Sequence, residues 1–162
     1  ALLTYLFYQN ERLVNAMTEI FGIKFDIPQI LTLQYVKQNG ILWNDDDFDY
    51  RSYWEGDFNH YERLFYQEEP FTGLEYELYP DGTLLGYCFY ISGYQENENT
   101  EFYPSGQIKS YCNYFKDEQR ALTLEWYENG QFKRILELTD HSRHKKEVQF
   151  DEQGNVVQTI EK

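Results

Sequence analysis

Four aspartates stand within five residues of one another: Asp45, Asp46, Asp47 and Asp49. The spacing of Asp45, Asp47 and Asp49 is typical of the start of a calcium-binding loop, which needs glycine at its sixth position and glutamate at its twelfth. Those two positions hold Tyr50 and Gly56 here. We therefore predict no calcium site, and interpret the aspartates as a surface that attracts a basic partner.

Histidine and cysteine offer little further chemistry. Asp140, His141 and His144 could supply three zinc ligands, but the segment lacks a fourth. Cys88 and Cys112 have no base beside them in the sequence, and no phosphate-binding loop, dinucleotide fingerprint or nucleophile elbow is present. We therefore predict a protein that is not an enzyme and that needs neither a metal nor a cofactor.

The negative charge is concentrated in one part of the chain. The net charge is −14 over 162 residues. Residues 41–100 contain two basic and fourteen acidic residues, a net charge of −12, whereas residues 1–40 are neutral and residues 101–162 carry −2. Such a field repels nucleic acid and anionic lipid and attracts basic proteins. We accordingly expect a basic protein partner, and neither nucleic acid nor membrane.

The strands and turns that would position these residues can be predicted from a repeat. Glycines recur every 24 residues, at Gly82, Gly106, Gly130 and Gly154. Each glycine follows a tyrosine or aspartate by three residues and precedes an apolar residue by two. This pattern predicts three-residue hairpin turns in which glycine adopts a positive φ. Residues four before and two and six after each glycine are apolar, and these even offsets lead us to expect that they share the buried face of an antiparallel meander.

Cys88 and Cys112 are also 24 residues apart. In a meander they would lie on strands separated by one other strand, about 9–10 Å apart, which is too far for a disulfide. We therefore predict free thiols and a reducing, cytoplasmic location.

The segments before the repeats are less regular. Asn10 and Gly22 bracket an apolar stripe that predicts a short N-terminal α-helix over residues 11–21. Residues 30–36 are predicted to form a strand, followed by a turn at 38–40 and a second strand from Ile41. We expect one domain over 1–162, made of an N-terminal helix and hairpin (1–44), a degenerate acidic repeat around Gly56 (45–68) and the repeats proper (69–162).

The repeats resemble the bacterial variant of the MORN repeat, as in Gly73-Leu-Glu-Tyr-Glu-Leu-Tyr-Pro-Asp-Gly82 and Glu125-Trp-Tyr-Glu-Asn-Gly-Gln-Phe-Lys133. The resemblance implies one antiparallel hairpin per repeat, in a single curved sheet. Bacterial chains of this type, similar to YwqK, are often antitoxins or immunity proteins. The glycine-rich link between hairpins is replaced here by Arg120-Ala121 and by Arg143-His144-Lys145.

We therefore expect an immunity protein or antitoxin that binds a basic, nuclease-like toxin and covers its active site with an acidic, aromatic surface. The alternative is a MORN-type scaffold or a module that binds membrane surfaces. The oligomeric state is left open by the sequence. Candidate partner-binding residues are Asp45, Asp46, Asp47, Asp49, Tyr50, Tyr53, Trp54, Asp57, Glu96 and Glu98.

Overall fold

A computed structural model describes residues 19–20, 22–25, 29–55, 59–139 and 142–162 of the chain. These residues are mainly β, with one short helix, α1 (Leu33–Asn39), before a long, largely antiparallel sheet of hairpins. This confirms the predicted fold class. The strands are β1 (Glu19–Ile20), β2 (Ile23–Lys24), β3 (Gly40–Leu42), β4 (Phe48–Glu55), β5 (Asn59–Tyr66), β6 (Glu69–Pro70), β7 (Gly73–Leu78), β8 (Leu84–Ile91), β9 (Tyr94–Phe102), β10 (Ile108–Phe115), β11 (Glu118–Trp126), β12 (Phe132–Leu138), β13 (His144–Phe150) and β14 (Val156–Glu161).

The main sheet has nine strands in the order β14-β13-β12-β11-β10-β9-β8-β7-β3. From β7 to β14 each strand pairs antiparallel with its neighbour in the chain, as a meander requires, and β3 adds parallel to β7. Strands β4, β5 and β6 form a separate three-stranded sheet, and β1 pairs with β2. Strands β4 and β5, which lie in the predicted degenerate repeat over 45–68, therefore form a hairpin beside the repeat array and not a strand pair within it.

The glycine turns have the predicted geometry. In the first, Gly82 donates its N–H to the carbonyl of Tyr79 at 2.8 Å, and Tyr79 donates its N–H to the carbonyl of Thr83 at 2.8 Å. Gly82 has a φ of +85°, a conformation that L side chains disfavour. Equivalent bonds and φ values recur at Gly106, Gly130 and Gly154. The turn is a type I turn closed by a glycine bulge, which explains why the period depends on glycine.

A second bulge after each turn overturns the prediction that the residues two and six after each glycine share one face. Leu78 pairs with Leu84 but Glu77 pairs with Gly86, which leaves Leu85 as an extra residue. The residue three after the glycine is extra in every repeat. Side chains beyond it exchange faces. Tyr87 and Tyr111 lie beyond it and are therefore buried in the main core.

Tyrosines of the glycine turns join successive repeats. The Tyr79 hydroxyl donates to the carbonyl of Phe102 at 2.8 Å, Tyr103 donates to Trp126 at 2.8 Å, and Tyr127 donates to Phe150 at 3.0 Å. We call this series the tyrosine ladder. The fourth repeat carries Asp151 at the same position, and its carboxylate accepts N–H bonds from its own turn.

The segment before the repeats differs from the prediction. Residues 33–39 form helix α1, and not the strand predicted over 30–36. Thr32 caps the helix, because its Oγ1 accepts the N–H of Tyr35 at 3.1 Å. The predicted helix over 11–21 falls largely on residues outside those described, and its Glu19–Ile20 portion is β1.

Each face of the main sheet carries a hydrophobic core, and the second core lies only at the β3 and β8 end of the sheet. On one face Ile23, Ile30 and Val36 pack with side chains of the repeats in the larger core. On the other, Leu64 and Phe71 pack with Cys88 and Tyr90 in a second core beneath the three-stranded sheet. The thiols of Cys88 and Cys112 are free, and both residues pair with Asn99 of the strand between them, which confirms the predicted spacing.

Candidate functional site

A cleft opens where the three-stranded sheet meets the polar turns of the main sheet. Its volume is about 390 Å³. Strands β4 and β5 form one wall, and the turns β8–β9 and β10–β11 form the other. We call it the acidic cleft; its lining residues are Tyr50, Glu62, Tyr90, Gly93, Gln95, Lys116, Asp117 and Glu118.

Two tight turns, one period apart, build the second wall. Ser92 and Gly93 have φ values of +52° and +84°, and Lys116 and Asp117 have +48° and +64°. Consecutive positive φ values identify type I′ hairpin turns, whose twist matches that of the flanking strands. Because these positions differ by one 24-residue period, the two turns lie side by side at the same end of the strands.

Gly93 also attaches the three-stranded sheet to the main sheet. Its carbonyl accepts the N–H of Leu64 at 2.9 Å, and its N–H donates to the carbonyl of Phe71 at 2.7 Å. A Cβ on this residue would lie 2.7 Å from the Leu64 carbonyl oxygen. Only glycine fits this junction, which therefore fixes the position of β5 relative to the turns.

A pair of tyrosines joins the two sheets within the cleft. The hydroxyls of Tyr50 on β4 and Tyr90 on β8 lie 3.0 Å apart, and Gln95 Nε2 donates to the Tyr90 hydroxyl at 3.4 Å. Tyr90 is buried, whereas Tyr50 is about half exposed and packs on the Trp43 ring at 5.4 Å. Burial raises the pKa of both hydroxyls, so they stay protonated and available for hydrogen bonds.

Three carboxylates surround these tyrosines. Asp117 accepts the N–H of Gln95 at 2.6 Å, while Glu62 lies on β5 and Glu118 begins β11. Burial raises the pKa of Asp117, and the negative charges of Glu96 and Glu62 raise it further. Lys116 is the basic residue among the lining side chains. Glu118 also pairs with Arg120 at 2.9 Å, so the negative charge that favours a cationic group in the cleft is mainly that of Glu62 and Asp117.

The aspartate run lies outside the cleft, and its side chains hold the start of β4. Asp45 accepts the N–H of Asp47 at 3.0 Å, and Asp47 accepts Gln67 Nε2 at 2.9 Å. Asp49 pairs with Arg51 at 2.8 Å, and Arg51 also pairs with Glu68 at 2.6 Å. The charge of Asp49 is therefore partly neutralised, and Asp46 is left in an exposed turn.

The other predicted residues divide between two faces of the protein. Trp54 shares a strand face with Tyr50 and is 67% exposed. Glu96 accepts the N–H of Lys116 at 3.3 Å, which places it at the rim of the cleft. Glu98 lies near Tyr87 and Tyr111 on the opposite face, where burial raises its pKa to about 7. Asp57 and the side chain of Tyr53 lie outside the described residues.

Glu75 is a buried carboxyl close to the junction of the two sheets. It is 6% exposed, and its Oε1 has no hydrogen-bond partner among the described residues. Its strand neighbours are Ile41 of β3 and Cys88 of β8. Burial, followed by the negative charge of Glu77, raises its pKa to about 8. The carboxyl is therefore largely protonated at neutral pH.

The described residues contain no arrangement typical of catalysis. Burial raises the pKa of the Cys88 thiol to about 12 and also raises that of Cys112, so neither forms the reactive thiolate. No group of three or more His, Cys, Asp or Glu side chains in the described ranges could hold a metal ion. Helix α1, at seven residues, is too short to cross a membrane.

Sequence reasoning missed Glu62, Tyr90, Asp117 and Glu118. The 24-residue period could have indicated the turn at Asp117, because the same period relates it to Gly93. Glu62 and Tyr90 gave no such signal, since the side-by-side packing of the two sheets is not periodic.

The chain was also compared with known proteins. No protein-family model, no curated protein and no solved structure matches it.

Proposed function

We propose that the protein is a cytoplasmic immunity protein or antitoxin that binds a basic toxin domain and blocks its active site. The observation that supports this most is the acidic cleft, in which Glu62, Asp117 and Glu118 surround two tyrosines. A concave site with several carboxylates and aromatic walls suits an arginine or lysine side chain of a protein partner.

The charge distribution supports the same proposal. Tyr50, Glu62 and Tyr90 of the cleft belong to the segment of net charge −12, so a basic partner would be attracted from a distance and oriented before contact. Tyr50 and Trp54 lie on one strand face beside the cleft and are both exposed, 49% and 67%. Exposed aromatic side chains of this kind often contribute most of the affinity of an interface. Inhibition would follow from occlusion and would need no chemistry from this chain.

The test begins with a toxin-like protein encoded beside the gene for this chain. An inactive variant of that protein would be titrated with the purified chain by calorimetry at low and high salt, and growth of cells that express the active toxin would be scored with and without the chain. We expect protection, and an affinity that falls as salt rises.

A charge-matched pair of variants locates the site. The triple substitution Glu62→Gln, Asp117→Asn and Glu118→Gln should weaken binding at least tenfold, about 1.4 kcal/mol. The control Glu69→Gln, Glu128→Gln and Glu152→Gln changes the net charge equally at exposed positions elsewhere. Equal effects of the two triples would refute the cleft as the binding site. Co-sedimentation of the chain with anionic vesicles, without protection from the toxin, would instead favour the membrane-surface alternative.

A further inference from the structure

The two edges of the nine-stranded sheet differ in length and composition. One edge is β3, a parallel strand of three residues. The other is β14, a strand of six residues that pairs with β13 and with no other described strand. The first five residues of β14 are Val156, Val157, Gln158, Thr159 and Ile160, none of which is charged. An uncharged edge strand of this length is a template for pairing with another strand.

Two observations distinguish β14 from β4, the long edge strand of the smaller sheet. Strand β4, the edge of the three-stranded sheet, carries Asp49 and Arg51, and charges on an edge oppose pairing. On β14, Val156 is 40% exposed and Val157 is 61% exposed. Exposed valines on an edge strand are costly in water, and pairing with another strand would cover them.

The tyrosine ladder indicates how a strand could add at this edge. Tyr79, Tyr103 and Tyr127 each donate to the following repeat, but Asp151 occupies the fourth position and bonds within its own turn. A strand added to β14 would therefore be held by backbone bonds and side-chain packing, without a ladder bond. This favours simple strand addition over the stacking of another hairpin of the same type.

We propose that two copies of this chain pair antiparallel through β14, so that their nine-stranded sheets become continuous. A two-fold axis at Gln158 would set this residue against Gln158 of the second copy, with Val156 and the bulged Val157 opposite Thr159 and Ile160 of the second copy. Asn155 would face Glu161, so no like charges would be opposed. A two-fold contact of this kind is closed, which limits growth to a dimer.

The distribution of charge is compatible with such a pair. Residues 101–162, which contain β14, carry a net charge of only −2, whereas the segment of −12 lies toward the other end of the sheet. The dimer would therefore keep the two most acidic regions apart. It would also leave both acidic clefts accessible, although self-association stands independently of the proposed function.

Self-association is tested with the purified chain alone. Sedimentation equilibrium over a range of concentrations should give twice the monomer mass for the wild type. Gln158→Lys and Gln158→Glu each set like charges against each other across the axis, so each alone should be monomeric. An equimolar mixture of the two should restore the dimer, since the opposed charges become complementary. The matched controls Ser52→Lys and Ser52→Glu, on the β4 edge, should leave the dimer unchanged.

Circular dichroism would establish that every variant is folded before its mass is compared. A wild type that stays monomeric at all concentrations would overturn the proposal. So would a dimer that persists in both Gln158 variants, or one that is lost in the Ser52 variants, because the contact would then lie elsewhere. Monomeric single variants whose mixture fails to dimerise would overturn the two-fold axis at Gln158.

Discussion

Replacing Glu75 with glutamine should change how the stability of the protein depends on pH. The carboxyl is buried, and its pKa is raised from an ordinary 4.5 to about 8. Below pH 4.5 the folded and unfolded chains both hold the proton, so the raised pKa has no effect. As the pH rises further, the unfolded chain loses the proton while the folded chain keeps it, and the free energy of unfolding falls.

The size of this effect follows from the shift. Each pKa unit corresponds to about 1.4 kcal/mol, so the wild type should lose roughly 3 kcal/mol between pH 4.5 and pH 7 and at most about 5 kcal/mol by pH 8. Above pH 8 the loss is constant. The glutamine variant does not titrate, so it should lack this decline. The burial of its amide adds an offset of about 1–3 kcal/mol that is independent of pH.

Urea denaturation of the wild type and Glu75→Gln at pH 5, 6, 7 and 8 measures the effect as a difference in slope against pH. The exposed Glu128 provides the control, since Glu128→Gln should keep the slope of the wild type. The half-buried Glu98, whose pKa is raised to about 7, contributes to the remaining slope in every variant that retains it. Parallel pH profiles for the wild type and Glu75→Gln would refute this account of Glu75.

Three further predictions concern the repeats. Gly106→Ala should destabilise the protein by about 1 kcal/mol because its φ is +84°, and the added Cβ would contact nothing within 4 Å, so the cost is conformational and not steric. Ala121→Gly, at a φ of +57°, should stabilise the protein by a similar amount. Melting temperatures should move by about 2–4 °C in opposite directions, and a shift of the same sign would contradict the conformational explanation. Tyr103→Phe should lower the free energy of unfolding in urea by about 1 kcal/mol through loss of the bond to Trp126, whereas Tyr35→Phe on the exposed face of α1 should have little effect. Thiol reagents should label Cys88 much faster in urea than in the native protein, because burial raises its pKa to about 12; equal rates would show that the thiol is accessible.

The fold was largely predictable from the sequence because its turns are local. A positive φ at Gly82, Gly106, Gly130 and Gly154 is a property of a few adjacent residues, and the spacing of these glycines sets the lengths of the hairpins. The error in the buried faces arose from the bulge at Leu85 and its equivalents, which inverts the alternation. The bulge cannot be predicted from residue type, because the extra positions hold different kinds of side chain: Leu85, Lys109, Lys133 and Val157.

The segment before the repeats and the site were harder to predict. Residues 30–36 are rich in residues that favour strands, but the Thr32 cap and the packing of Val36 in the core select a helix. The acidic cleft depends on contacts between a separate hairpin and the repeat array, which are far apart in sequence. The predicted Tyr50 and Glu96 lie at the cleft, but the aspartate run that suggested the site mainly organises a turn.

The tyrosine ladder makes the repeat array behave as a one-dimensional lattice with nearest-neighbour coupling. Each internal hairpin is bonded to the one before and the one after it, whereas the hairpin of β13 and β14 receives a bond from Tyr127 and carries Asp151, which bonds within its own turn. Such a lattice loses its terminal unit before its interior. Protection from amide hydrogen exchange should therefore decline toward β14, and the coupling energy of each ladder bond sets how steeply it declines.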